Sequence, residues 1–133
     1  MNNVEKKDYL GLYTSSQRII NRCRLYLDEI RIVNNSILNY EVTDQELEKE
    51  YFNLITTFTE ELNSRICKYE TVQKSILSNI DKMPDDVEKE CLKLRYIVGL
   101  KWDEIAGRML FSVQHIHRIH NKAIDDLRIS YVE

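Results

Sequence analysis

The chain has 133 residues, 43% of them hydrophobic and 31% charged, with a formal net charge of −3. That length supports one domain, or one core with an appendage, and the mildly acidic balance excludes a uniformly basic nucleic-acid-coating protein, so any anion-binding surface must be local. Three glycines and one proline argue against a turn-rich sandwich or barrel and for long helices.

At the N-terminus, MNNVEKK is polar and leads into no apolar run, so a secretory signal is not expected. No apolar run approaches the roughly 18–20 residues that span a bilayer. Cys23, Cys67 and Cys91 are far apart and odd in number, with no CxxC pair. They are expected to be small buried residues in a reducing compartment, which predicts a cytoplasmic protein. Lys/Arg and Asp/Glu nearly balance in both parts of the chain, 11 against 13 over 1–83 and 8 against 9 over 84–133.

From Tyr9 the apolar positions fall at Tyr13, Ile20, Cys23, Leu27, Ile30 and Ile37, with Ser16 and Asn34 as polar interruptions. This near-heptad spacing predicts one amphipathic helix over about 8–33 with a seam for helix packing. NNSILNYEVTD then weakens the period, and Thr43 or Asp44 offers an N-cap before the acidic turn of Glu46 and Glu48. A second helix reads Leu47, Tyr51, Leu54, Phe58, Leu62, Ile66, Tyr69, Val72, Ile76 and Ile80, on the order of 50 Å long at 1.5 Å per residue. Two such helices predict an antiparallel hairpin over 1–82. A hairpin buries one stripe per helix, so the remaining apolar positions call for the C-terminal part or a second subunit. A homodimer is the expectation.

The segment 83–133 reads as a separate C-terminal unit. Pro84 suits a first helical turn, Asp85, Asp86 and Glu88 its positive end, and Gly99 its C-terminal cap. Val87, Cys91, Leu94 and Val98 recur at helical spacing. A short helix follows in KWDEIAGRM with Trp102, Ile105, Ala106 and Met109 facing inward. Ala106 marks a close helix crossing that a larger side chain would splay. After Leu110 and Phe111, Ser112 caps a third helix running to about Ile129. Short helix, tight turn and longer helix make a helix-turn-helix. The fold class is thus all-α, a long antiparallel hairpin followed by a three-helix unit.

All three histidines lie in SVQHIHRIHNKAI. On a 100° wheel with Ile116 at zero, Val113, Ile119, Ala123, Ile124 and Leu127 fall within about 80°, and His120 at about 40°. His115 and His117 fall on opposite flanks, near 260° and about 100°. The three imidazoles therefore diverge, and no metal and no cofactor is predicted; His120 is read as a core histidine with one ring nitrogen satisfied. The opposite face carries Gln114, Arg118, Asn121 and Lys122, edged by His115 and His117, and residues 112–124 hold no acid. Arg, Gln and Asn reach base edges by paired hydrogen bonds and Lys suits phosphate, so double-stranded DNA is the predicted partner.

The stretch LKLRYIVGLKWDEIAGRMLFSVQHIHRIHNKAIDDL resembles the region-4 helix-turn-helix of sigma-70-type factors. More closely, it is similar to small phage-encoded transcriptional regulators of the ArpU/RinA-like kind. Arg95, Tyr96, Gly99, Trp102, Ile105, Ala106, Met109, Phe111, Ser112, Arg118, His120, Ala123, Ile124 and Leu127 carry the resemblance, over about a quarter of the chain. It implies that Val113, Gln114, His117 and Arg118 face DNA, with Gln114, His117 and Arg118 at bases, and His115 and Lys122 placed for phosphate. RNA polymerase is a candidate second partner. Two positions depart from the pattern. Val113 stands where a polar residue is usual, and Leu110 where glycine is frequent. Leucine at positive φ costs about 1 kcal/mol or more, which argues for a different turn geometry here.

Two other classes compete. A protein-interaction module could keep the helix-turn-helix without binding DNA, and a small terminase subunit would bind DNA but places its helix-turn-helix before the coiled segment. An enzyme is not expected: the sequence has no Gly-rich phosphate loop or partnered nucleophile, and Asp103 and Glu104 read as first-turn charges.

Overall fold

The structure is a computed structural model and describes residues 1–37 and 44–130. All regular structure among them is helical: α1 (Asn3–Ile37), α2 (Gln45–Asp81), α3 (Asp86–Leu92), a π-helical segment (Lys93–Val98), α4 (Trp102–Met109) and α5 (Val113–Asp126). None of the helices is long and apolar enough to cross a membrane. The contacts divide the chain into two compact units, one of residues 1–16 and 71–133, the other of residues 17–70.

In the 17–70 unit the two helices run antiparallel, Arg24 pairing with Glu70 at 3.0 Å and Asn34 with the Tyr51 hydroxyl at 3.1 Å. Among its described residues, Ile20, Cys23 and Leu62 are the buried apolar side chains. The stripe expected to seal the hairpin is largely open: Leu47 is 61%, Leu54 70% and Phe58 41% exposed. Asp44 is the cap of α2, accepting from the backbone N–H groups of Glu46 and Leu47 at 3.0 and 3.2 Å; Thr43 lies outside the described residues.

α1 extends beyond 8–33 at both ends. Its start is capped by Asn2: the Glu5 N–H donates to Asn2 Oδ1 at 2.8 Å, and Asn2 Nδ2 donates to the Glu5 side chain at Oε1, 3.3 Å away. The Asn-x-x-Glu spacing for it is in the sequence. At the other end Asn34 and Asn35 are still helical, although the apolar period weakens from there.

The unit of residues 1–16 and 71–133 holds the main core. Tyr9 and Leu10 of α1, Ile76 and Ile80 of α2, Met83, Leu92, and Ala123, Ile124 and Leu127 pack into one buried cluster. Cys91, Ile105, Ala106 and Ile116 form a second, flanked by Trp102, Met109 and Ile119. Pro84 does not open α3; it precedes the cap Asp85, whose carboxylate accepts from the N–H groups of Val87 and Glu88. Val87 and Val98, expected inside, are 40% and 60% exposed, and Leu92 is buried instead. The π turn causes the shift at Val98. Its wider winding turns less per residue, so the following side chains lag around the axis relative to an α-helix. Of the cysteines, Cys23 and Cys91 are buried but Cys67 is exposed. Burial pushes the Cys91 thiol up to about 11, with Glu90 adding to the effect.

Ala106 sits against Ile105 and Ile116 at 6% exposure. Ala106→Leu is expected to lower the unfolding free energy by about 1–3 kcal/mol through overpacking, measured by urea denaturation.

Candidate nucleic-acid interface

The helix-turn-helix consists of α4, a turn through Leu110 and Phe111, and α5. Gly99 closes the preceding π segment at φ 85°, with its N–H on the Leu94 carbonyl. The α4 entry is tied by the Lys101 N–H to Glu104 Oε1 at 3.4 Å. Leu110 departs from expectation in a definite way: it adopts the left-handed conformation itself, at φ 60° and ψ 40°. The turn therefore does not take another geometry to suit leucine. Its 88% exposed side chain meets no packing obstacle, so the strain is confined to the backbone. Leu110→Gly is expected to add about 0.5–1 kcal/mol of stability, the relieved strain exceeding glycine's unfolded-state entropy. A denaturant midpoint at or below that of the parent would contradict it.

Ser112 opens α5, its Oγ accepting from the His115 N–H at 3.1 Å. Ile116, His120, Ala123 and Ile124 form the buried side of the helix. Gln114, His115, His117, Arg118, Asn121 and Lys122 are all exposed. α5 ends at Asp126, not near Ile129, and Leu127 turns extended at ψ 126°. Two acids at a helix C-terminus oppose its dipole, and buried Leu127 enters the main core. α1 supplies the missing cation: Lys6 Nζ donates to the carbonyls of Ile124 and Asp125 at 2.9 and 3.2 Å, while Asn3 Nδ2 donates to Asp125 Oδ1 at 2.6 Å.

The histidines each rest on aromatic rings. His115 meets Phe111 edge-on at 4.7 Å, and His117 tilts over Trp102 at 4.8 Å. His120 stacks on Tyr96 at 5.7 Å and also meets the edge of Trp102. Its Nε2 is 2.8 Å from the Tyr96 hydroxyl, so one ring nitrogen is satisfied, as its place in the apolar face requires. Burial is the main cause that lowers its pKa to about 4, with Lys7, Arg95 and His117 acting the same way. Arg95 covers Trp102 at 4.3 Å and donates to the Leu100 carbonyl at 3.0 Å. Among the described residues no group of three His, Cys, Asp or Glu side chains could hold a metal ion.

Lys122 is less independent than the sequence suggests. Its Nζ lies 3.8 Å from Oε1 of Glu88, beyond hydrogen-bond length. Glu88 is 3% exposed, and neither carboxylate oxygen has a hydrogen-bond partner among the described residues. Burial, then Asp126 and Asp85, raise its pKa, against Lys122, which lowers it. Sequence reasoning placed Glu88 as a helix-dipole charge and missed this; the i+3 step from cap Asp85 fits both roles.

Neither the curated proteins nor the solved structures contain a match to the chain. Residues 81–128, however, match the family model for Sigma-70, region 4, a DNA-binding helix-turn-helix, so that α3, the π segment, α4 and α5 constitute the part of the chain that carries it.

Proposed function

We propose that this chain is a sequence-specific transcriptional regulator of phage or prophage origin that inserts α5 into the major groove. The observation that carries the reading is the exposed face of α5 within the Sigma-70 region 4 match, which holds no acid from Gln114 to Lys122 and meets Asp125 only in its last turn. On it Gln114, His117 and Arg118 contact base edges, Asn121 lies alongside them, and His115 and Lys122 meet phosphates. The phage setting rests on the similarity of the motif to ArpU/RinA-like regulators. RNA polymerase is the second proposed partner, on the strength of the same family match.

The protein works as a homodimer in this reading. One recognition helix in an acidic chain binds weakly, and two presented together bind half-sites. Exposed Leu47, Leu54 and Phe58 on α2, with Leu25 and Ile32 on α1, support a second copy as the cover for the 17–70 unit.

A second reading, a protein-docking module, is favoured by Leu110, Phe111 and Val113, which are exposed at the turn. Binding to duplex DNA flanking the gene, measured across a salt series with Arg118→Ala and Gln114→Ala, separates the two. The regulator loses roughly ten- to a hundredfold in selective affinity in each variant, and its binding weakens steeply with salt. Unchanged or absent DNA binding in parent and variants alike would favour the docking module.

A further inference from the structure

The 17–70 unit carries a positive cleft that the DNA-reading face does not account for. Arg22 of α1 and Ser64, Arg65 and Lys68 of α2 line a cavity of about 450 Å³, with Ile19 and Tyr69 as its less polar walls. Arg18 sits one helical turn before Arg22 on the same face of α1. None of these four cations makes an ion pair among the described residues. Glu70 is taken by Arg24 at 3.0 Å, Glu61, one turn before Arg65, forms no bridge to it, and Lys68 Nζ lies over the Tyr69 ring, 5.6 Å from its centroid. Like charges at i,i+4 and i,i+3 spacing destabilise a helix, and two such pairs meet here in a chain whose net charge is −3. A surface under that repulsion is relieved by an anion.

We propose that this cleft binds a small diphosphate-bearing ligand, a pyrophosphate or nucleoside-diphosphate-like molecule. Two guanidinium forks match phosphate oxygens bidentately, Lys68 adds a point charge, and the Ser64 hydroxyl adds a neutral donor. Three cations balance the charge of a diphosphate. The volume is that of a small-ligand site, and Ile19 and Tyr69 offer apolar contact to whatever group the diphosphate carries.

The test uses the full chain, the double variant Arg22→Gln/Arg65→Gln, and inorganic pyrophosphate, ADP and a short DNA duplex as probes in calorimetric titrations at constant ionic strength. Both arginines are exposed, so the variant should fold, and in chloride it should melt at or above the parent as the repulsion is removed. Pyrophosphate and ADP are expected to bind the parent, with affinity falling on the order of tenfold or more in the variant. Arg118→Ala should bind pyrophosphate as the parent does, which separates this site from the α5 face. Equal affinity in parent and variant, or no binding of either small probe at millimolar concentration, overturns the proposal. So does a variant effect confined to the duplex, which would make the cleft a contact for nucleic-acid backbone.

Discussion

Asn79→Ala should cost about 2–4 kcal/mol of unfolding free energy, the largest stability effect expected of any polar substitution in this chain. Asn79 is 1% exposed on α2. Its Nδ2 donates to the Tyr9 hydroxyl at 2.8 Å and to the Ser130 carbonyl at 3.2 Å. Its Oδ1 accepts from the Ser130 N–H and hydroxyl, each at 3.1 Å. One amide thus joins the start of α1 to the segment after α5, and its loss strips partners from both sides at once. The cost comes from groups left unpaired more than from volume. Asn79→Leu, which fills the space, should therefore remain clearly destabilising. Guanidinium unfolding of both variants measures this, with an unchanged m-value as the sign that the folded state persists. Recovery of parental stability in the leucine variant would show that packing alone matters there.

Glu88→Gln should stabilise the protein by about 1–3 kcal/mol at neutral pH by removing a buried carboxylate whose oxygens lack hydrogen bonds. The pH dependence gives a second reading. Because folding raises the Glu88 pKa, its contribution is fully present below the ordinary carboxylate range and is lost as pH rises through the raised value. The parent should accordingly gain stability relative to Glu88→Gln as pH falls from 8 towards 5. Denaturation curves of the two proteins across that range measure the difference, and a constant gap would mean Glu88 titrates as it does unfolded. The same substitution releases Lys122 from its 3.8 Å contact. If Lys122 meets DNA phosphate, the variant should bind duplex DNA at least as tightly as the parent.

The helix-turn-helix was legible because its signals are local. Ser112, Gly99 and the i,i+7,i+8 spacing of Ile116, Ala123 and Ile124 act within two or three turns of themselves, and the structure places each as that spacing requires. The burial of His120 followed from the same wheel. Boundaries were less legible. α1 begins at Asn3 through an N-cap whose residues, Asn2 and Glu5, stood in plain sight. The end of α5 at Asp126 depended on where Leu127 could be buried, which no local pattern states.

Leu110 shows a different limit. Leucine disfavours the left-handed region by about 1–2 kcal/mol, and that local preference argued for another turn. The burial of Ile105, Ala106 and Ile116 in one cluster outweighs it, because that packing requires the chain to reverse at this residue.

By itself, the sequence determined that the chain is helical, that its C-terminal part is a helix-turn-helix, and which side of α5 is apolar. Each follows from the 3.6-residue period and from caps that act locally. Only the tertiary structure decided that Tyr9 and Leu10 of α1 share a core with Ile124 and Leu127. It also decided that Lys6 caps α5, and that Glu88 is buried beside Lys122 and Asp126. Those outcomes depend on residues more than thirty positions apart meeting in space, and the free energy of such meetings is written in no single stretch of the chain.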